Sequence, residues 1–270
     1  MSVSVALLQL DVSSAETPDS RVARVLNMIP QAAANAEFLV LPELWHVGAF
    51  DLESIKNHAQ SIDGPLSRQL SAAARAQGIW LHAGSIAERD SQGDLFNTSL
   101  LFAPNGELVA SYRKIHLFGF ATGERSVMSP GTQLVQRLTP LGFTGLSTCY
   151  DLRFPELYRA LAIGGAESML VTSGWPSARI EQWAVLLRAR AIENQCWMIA
   201  CNEVGLQDSP SGPVLLGGRS AVVDPSGQVV VEGGSEEGLI FASVDVSLVS
   251  ALRESFPVLG DITRTTYFEA

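Results

Sequence analysis

Two nearly continuous apolar runs constrain this chain most: "AEFLVLPEL" over Ala36–Leu44 and "AESMLVTSG" over Ala166–Gly174. Neither shows the period-two alternation of a strand with one wet face. Such strands are buried on both faces, so the sheet that holds them must be covered on both sides. Each follows a helix-like segment, Ser20–Ala34 before the first and a stretch opened by Pro155 before the second. Proline suits that opening position because the first turn of a helix leaves its N–H groups unused.

The remaining pattern repeats this alternation. Strands are expected at Val3–Leu10, "IWLHAGSIAER", "FTGLST", "CWMIACNEVG" and "GLIFASVDV". Hairpins are expected to turn at Pro104-Asn105-Gly106 and at Pro225-Ser226-Gly227, with further helices at Leu66–Ala76 and within "SARIEQWAVLLRARAIENQ". This order predicts an α/β fold in which a sheet-on-sheet core is covered by helices. No linker or low-complexity tract divides the sequence, so residues 1–270 are read as one domain. The tail from about Ser247 to Ala270 shows no clear period and is expected to cover an edge of its own subunit or of a neighbouring one.

Charge and cysteine content narrow the function. With 47% hydrophobic and 17% charged residues the chain is globular, and its net charge of −10 argues against nucleic acid or an anionic membrane as partner. The start "MSVSVALLQLDV" has no basic segment before its apolar stretch, which Asp11 interrupts, so neither a signal peptide nor a membrane span is expected. The three cysteines, Cys149, Cys196 and Cys201, have no metal-type spacing and point to a reducing cytoplasm. Cys196 and Cys201 are expected on opposite faces of one strand, as packing residues. The histidines show no ligand spacing and there is no phosphate-binding glycine motif, so neither a metal nor a cofactor is implied.

Three polar residues end apolar strands, where α/β sheets gather ligands. Glu43 closes "FLVLPE", and there it is either a solvated loop acid or a partly desolvated base. Lys114, in "ASYRKIHLF", is either an edge lysine or an oxyanion partner; alternation puts it on one face with Tyr112 and His116, the histidine being read as structural. Cys149, in "STCYDLRFPELYR", is either a packing thiol or a nucleophile with its pKa lowered by a helix N-terminus, the Tyr150 N–H facing a developing oxyanion. Together the three supply a base, a charge stabiliser and a nucleophile.

"LPELW", "YRKIHLF", "GERSVMSPG" and "STCYDLRFPELYR" occur in the order seen in the nitrilase superfamily of carbon-nitrogen hydrolases, and "EQWAVLLRARAIENQ" and "ACNEVG" extend the resemblance over most of the chain. The resemblance implies a four-layer αββα sandwich, commonly paired as a dimer. It assigns Cys149 as nucleophile, Glu43 as base and Lys114 with the Tyr150 N–H as oxyanion site, and gives Glu124 a supporting role. Trp45, Arg153 and Trp175 are the substrate-binding candidates. The "CYDLRFPEL" context resembles the amidase branch, particularly omega-amidase-like enzymes acting on short linear amides, rather than nitrile-cleaving members with "CWE". The "GFATGERSV" loop is shorter before the glutamate than the omega-amidase form. An N-carbamoyl amine hydrolase, with Arg153 or Arg179 binding a carboxylate, and a non-catalytic protein on the same fold are the alternatives. Leu157, Tyr158, Leu161, Trp183, Leu186 and Leu187 exceed the apolar surface that one sheet face needs, so a homodimer through these helices is expected.

Overall fold

The computed structural model describes residues 2–119 and 123–263. In chain order its elements are β1 (Ser2–Gln9), α1 (Pro18–Ala33), β2 (Phe38–Val40), α2 (Leu52–His58), α3 (Pro65–Gln77), β3 (Trp80–Arg89), β4 (Leu95–Phe102) and β5 (Leu108–Arg113). There follow β6 (Gln136–Thr139), β7 (Gly142–Thr148), α4 (Pro155–Ile163), β8 (Ser168–Thr172), α5 (Ile180–Asn194) and β9 (Trp197–Cys201). The last are β10 (Val204–Gln207), β11 (Val214–Gly217), β12 (Ala221–Val223), β13 (Val229–Glu232), β14 (Gly238–Asp245) and α6 (Ser247–Ser255).

Two six-stranded sheets form, in the orders β14-β1-β2-β3-β4-β5 and β13-β12-β9-β8-β7-β6. The centre of each is parallel, β1-β2-β3 in one and β7-β8-β9 in the other, and the flanking strands are antiparallel. The apolar runs that lack alternation therefore lie in the middle strands, β2 and β8, each of whose residues is buried. Val5, Leu7, Phe38 and Val40 of the first sheet meet Leu146, Leu170, Ile199 and Val222 of the second to form the core between the sheets. Opposite faces are covered by helices: Val25, Ile29 and Leu70 of α1 and α3 on Leu8, Leu39 and Leu81, and Leu161, Trp183 and Leu187 of α4 and α5 on Met169, Val171 and Met198. This is the αββα sandwich.

Cys196 belongs to the helix-side core and Cys201 to the core between the sheets, as their separation requires. The expected strand "CWMIACNEVG" is broken at Asn202 and Glu203, and its second part pairs with β11 in a separate two-stranded hairpin. The tail is helical over α6, but only Val249 of that helix is buried, while Leu248 is exposed and Phe256 beyond it is more so. A helix with one buried side chain leaves no apolar period to read. Residues 264–270 of the tail, and 120–122 of the "GFATGERSV" loop, lie outside the described residues.

The side chains invoked for dimerisation are used within the subunit. Leu157, Tyr158, Leu161, Trp183 and Leu187 are buried against the second sheet and Leu186 is partly buried, because two helices on a wide sheet need all of them. The apolar side chains that α4 and α5 leave exposed are instead Ile163, Val185 and Ile192.

Candidate active site

Glu43 stands three residues beyond β2, where the backbone is fixed from β3. Gly84, at φ 66°, passes so close to the Pro42 carbonyl that any side chain there would overlap it. The Ser85 N–H donates to Pro42 O at 3.2 Å, and the Leu44 N–H donates to Ser85 Oγ at 3.0 Å. Leu44 itself is left-handed, at φ 42°, so the chain reverses immediately after Glu43. The reversal explains why Trp45, expected among the substrate-binding residues, is not one. Its ring is fully buried in the core under α1 and α3, and its indole N–H donates to Ala83 O at 3.0 Å.

Lys114 follows β5 and is anchored to β4 by its N–H on Asn97 O at 2.8 Å. Its ammonium lies 2.7 Å from Glu43 Oε1 and 2.7 Å from Glu124 Oε2. The Asn97 amide bridges the same two carboxylates, donating to Glu43 Oε1 at 2.8 Å and to Glu124 Oε1 at 2.7 Å. The Gly174 N–H donates to Glu43 Oε2 at 2.9 Å and the Phe118 N–H to Glu124 Oε2 at 2.9 Å. Tyr112 and His116 do not share this face. Because β5 ends at Arg113, they turn to Asp151 instead, the Tyr112 hydroxyl donating to Oδ2 at 2.7 Å and the His116 N–H to Oδ1 at 2.9 Å.

Cys149 opens a short 3₁₀ turn directly after β7, at φ 49°, a left-handed conformation that costs a non-glycine residue on the order of 1–3 kcal/mol. Asp151 holds the turn: its Oδ2 accepts the Thr148 N–H at 2.9 Å while it receives Tyr112 and His116. The expected lowering of the thiol pKa is not found. Burial pushes the Cys149 thiol well above the usual cysteine range, the Glu43 carboxylate adds to the effect, and Lys114 offsets only part of it. A five-residue turn cannot outweigh these. Burial alone would lower the Lys114 pKa, but Glu124 and Glu43 prevail and keep its ammonium well above the lysine range. Burial raises Glu124, against the pull of Lys114.

Glu43, Lys114, Glu124 and Cys149 line one cavity of about 450 Å³. Tyr150, Arg153, Trp175 and Arg179 line it too, with Phe50 and Phe118 on one wall and Pro210 and Leu215 from the β10–β11 hairpin. The Arg153 guanidinium lies 4.8 Å over the Trp175 ring and donates to Gln182 Oε1 at 2.7 Å. The Trp175 N–H donates to Asn202 Oδ1 at 2.6 Å. One chamber therefore holds a thiol, two carboxyl groups and an ammonium, with two guanidiniums, Arg153 and Arg179, on its lining.

The family model described as carbon-nitrogen hydrolase matches residues 4–254. The chain belongs to the carbon-nitrogen hydrolase family. It is 39% identical to the 2-oxoglutaramate amidase of Paenarthrobacter nicotinovorans, over 95% of this chain and 88% of that one. It is 33% identical to the human omega-amidase NIT2, over 94% and 92%. Among solved structures, Saccharomyces cerevisiae Nit3, a member of branch 10 of the nitrilase superfamily, superposes with a TM-score of 0.84 at 30% identity, covering 95% of each chain.

The sequence places Glu43, Lys114, Glu124 and Cys149, with Tyr150, Arg153, Trp175 and Arg179, on the cavity of this carbon–nitrogen hydrolase but misses Asn97 and Gly174, which fix the carboxylates. Asn97 had a readable signal, an amide inside the fully buried run "LFNTSLLF". Gly174 had none, since its contribution is a backbone N–H.

Proposed function

We propose that this carbon–nitrogen hydrolase releases ammonia from small linear amides through a thioester on Cys149. The observation that carries the reading is the convergence of Glu43, Lys114 and Cys149 on one cavity, with Glu43 and Lys114 at 2.7 Å. Cys149 Sγ attacks the amide carbon as Glu43 takes the thiol proton, so a buried neutral thiol needs no prior ionisation. The Lys114 ammonium and the Tyr150 N–H hold the oxyanion. Collapse breaks the C–N bond, the proton passes from Glu43 to the leaving nitrogen, and ammonia departs. Water, deprotonated by Glu43, then attacks the thioester; the C–S bond breaks, the thiolate takes that proton back from Glu43, and the carboxylic acid formed loses its proton to solvent and leaves as the carboxylate. Glu124 holds Lys114 in place.

The substrate class follows from what remains in the cavity. Arg153, stacked on Trp175, offers a cation away from the reacting groups, suited to a carboxylate at the far end of an omega-amide. Similarity to proteins named 2-oxoglutaramate amidase and omega-amidase supports the same class. Mixing the protein with 2-oxoglutaramate should release ammonia, an N-carbamoyl amine should release neither ammonia nor carbon dioxide, and rapid quenching with 2-oxoglutaramate should show an acyl adduct on Cys149 by mass spectrometry. Cys149→Ala should remain folded and release none, since alanine keeps the same Cβ in the same turn. Turnover by Cys149→Ala, or ammonia and carbon dioxide released from an N-carbamoyl amine with none from 2-oxoglutaramate, overturns the reading.

The chain is taken as a single domain acting in the cytoplasm, consistent with three unpaired cysteines. Among the described residues no helix is long and apolar enough to cross a membrane. A homodimer through α4 and α5 would cover the exposed Ile163, Val185 and Ile192.

A further inference from the structure

Glu203 is a fully buried carboxyl that the proposed chemistry does not use. It sits in the break between β9 and β10, beneath Gly174: a Cβ added to Gly174 would lie 2.8 Å from Glu203 Oε2 and 2.9 Å from the Ala49 Cβ. Gly174 is the residue whose N–H holds Glu43 Oε2. Gln207, also buried, donates from Nε2 to Glu203 Oε2 at 3.2 Å and accepts the Phe50 N–H on Oε1 at 3.1 Å, which fixes the amide's orientation. Phe50 meets Phe118 edge-on at 6.1 Å, and the Phe118 N–H returns to Glu124. Asn97 joins Glu124 to Glu43. The contacts close a ring from Glu43 through Gly174, Glu203, Gln207, Phe50, Phe118, Glu124 and Asn97 back to Glu43.

We propose that Glu203 is a positioning residue, which through Gln207 and Gly174 ties the orientation of the Glu43 carboxylate to the Phe50 wall of the cavity. The inference rests on the reading of Glu43 as the base. The groups facing Glu203 favour a neutral acid. Glu43 from the loop after β2 and Asp11 after β1 are the carboxyl groups that face it, and Cys201 of β9 is a buried thiol. The one cation facing it among the described residues, Arg21 of α1, is committed to Ser13 O, Glu16 O and Trp45 O and to the Glu16 carboxylate. Glu203 Oε1 is buried without a hydrogen-bond partner among the described residues, a position a carboxylate charge tolerates poorly. Burial raises the Glu203 pKa well above the carboxylate range, with Glu43 adding to the effect against Arg21. A neutral Glu203 accepts from Gln207 without placing a second anion under Glu43.

The test compares Glu203→Gln, Glu203→Leu, Gln207→Met and Glu43→Gln by ammonia release from 2-oxoglutaramate, with active sites counted by iodoacetamide labelling of Cys149. Glutamine reproduces the neutral acid, so Glu203→Gln should keep kcat within about 3-fold and leave the acid limb of the pH profile in place. Glu203→Leu and Gln207→Met break the ring and should each lower kcat per active site ~10–100-fold while raising KM, because both the base and the wall shift. A merely structural residue would lower the number of active sites and leave kcat per site and KM alone. Wild-type kcat and KM per site in Gln207→Met, or a loss in Glu203→Gln as large as in Glu203→Leu, overturns the inference. Gln207→Met decides alone if Glu203→Leu does not fold. If Glu43→Gln stays active, the reading of the base fails; if it is inactive while the ring variants are normal, only the role of Glu203 fails.

Discussion

The Glu43 carboxylate and the Lys114 ammonium face each other at 2.7 Å, with side chains 2% and 1% exposed. Such a pair is strongly destabilising when one partner is removed and the other is left buried. The two removals are unequal here. Glu43→Gln leaves Lys114 paired with Glu124 but turns an amide N–H onto the buried Gly174 N–H, so it should cost about 1–3 kcal/mol. Lys114→Met leaves two carboxylates bridged only by Asn97 and should cost about 3–5 kcal/mol. Both should lower turnover at least ~100-fold. Their effects on turnover should not add, because the residues act in one step. Denaturant midpoints and turnover of the two single variants and the double variant check this; equal stability of the single variants would mean that Glu124 does not share Lys114.

Buried histidines set the acid limit of stability. His46 and His82 are each fully enclosed, with neither ring nitrogen hydrogen-bonded among the described residues. Burial pushes both pKa values down to about 3, with Arg21 contributing at His46. The folded state therefore binds fewer protons than the unfolded chain below the ordinary histidine pKa of about 6.5. Their contribution is complete above that value and is lost progressively as pH falls toward about 3. Each should cost roughly 2 kcal/mol between about pH 7 and about pH 5. His82→Leu, apolar and of similar volume, should remove about half of this acid sensitivity in thermal melts. An unchanged pH slope in that variant would show that His82 gains a proton partner in solution.

The residues that sequence reasoning locates share one property: each ends an apolar run, as Glu43, Lys114 and Cys149 do. Order along the chain, together with the motif around Glu124, was enough to bring them together. What it could not supply was direction. Trp45 is two residues from Glu43, yet the left-handed Leu44 sends it into the opposite core. Asn97 and Glu203 act from inside buried segments, where a polar side chain reads as an interruption of a strand rather than as part of a site. The sandwich was legible because β2 and the centre of β8, Met169–Val171, are apolar without alternation. The β10–β11 hairpin was not, since the two polar residues Asn202 and Glu203 are too short an interruption to read as the start of a separate strand.

Association should depend on exposed side chains rather than on the large buried ones. Val185 and Ile192 are 65% and 50% exposed and lie seven residues apart on α5, on one face, with Ile163 of α4 at 65%. Val185→Lys should shift light-scattering mass from dimer to monomer without lowering the melting temperature of the monomer. Trp183→Asp, by contrast, should unfold the chain, because Trp183 is fully buried in the core under α5 and its indole N–H is tied to Arg219 O at 2.8 Å. A monomeric mass for the unaltered protein at micromolar concentration would remove the dimer.

Arg153 should decide between charged and neutral amides. Its guanidinium lies over Trp175 at 4.8 Å and is held by Gln182 at 2.7 Å, so its position is set before substrate arrives. A carboxylate bound there gains charge-assisted hydrogen bonds, each worth roughly 1.5–3 kcal/mol, whereas a neutral amide of the same length gains none. Arg153→Leu should raise KM for 2-oxoglutaramate ~10–100-fold while leaving KM for a neutral amide such as valeramide within about 3-fold. Arg153→Lys should recover only part of the loss, since an ammonium cannot present a planar fork to a carboxylate or stack on the indole in the same way. The effect should appear in KM rather than in kcat, because Arg153 touches neither the thiol nor Glu43. Equal losses for charged and neutral amides would place Arg153 in support of the cavity wall and move the carboxylate to Arg179, which also lines the cavity.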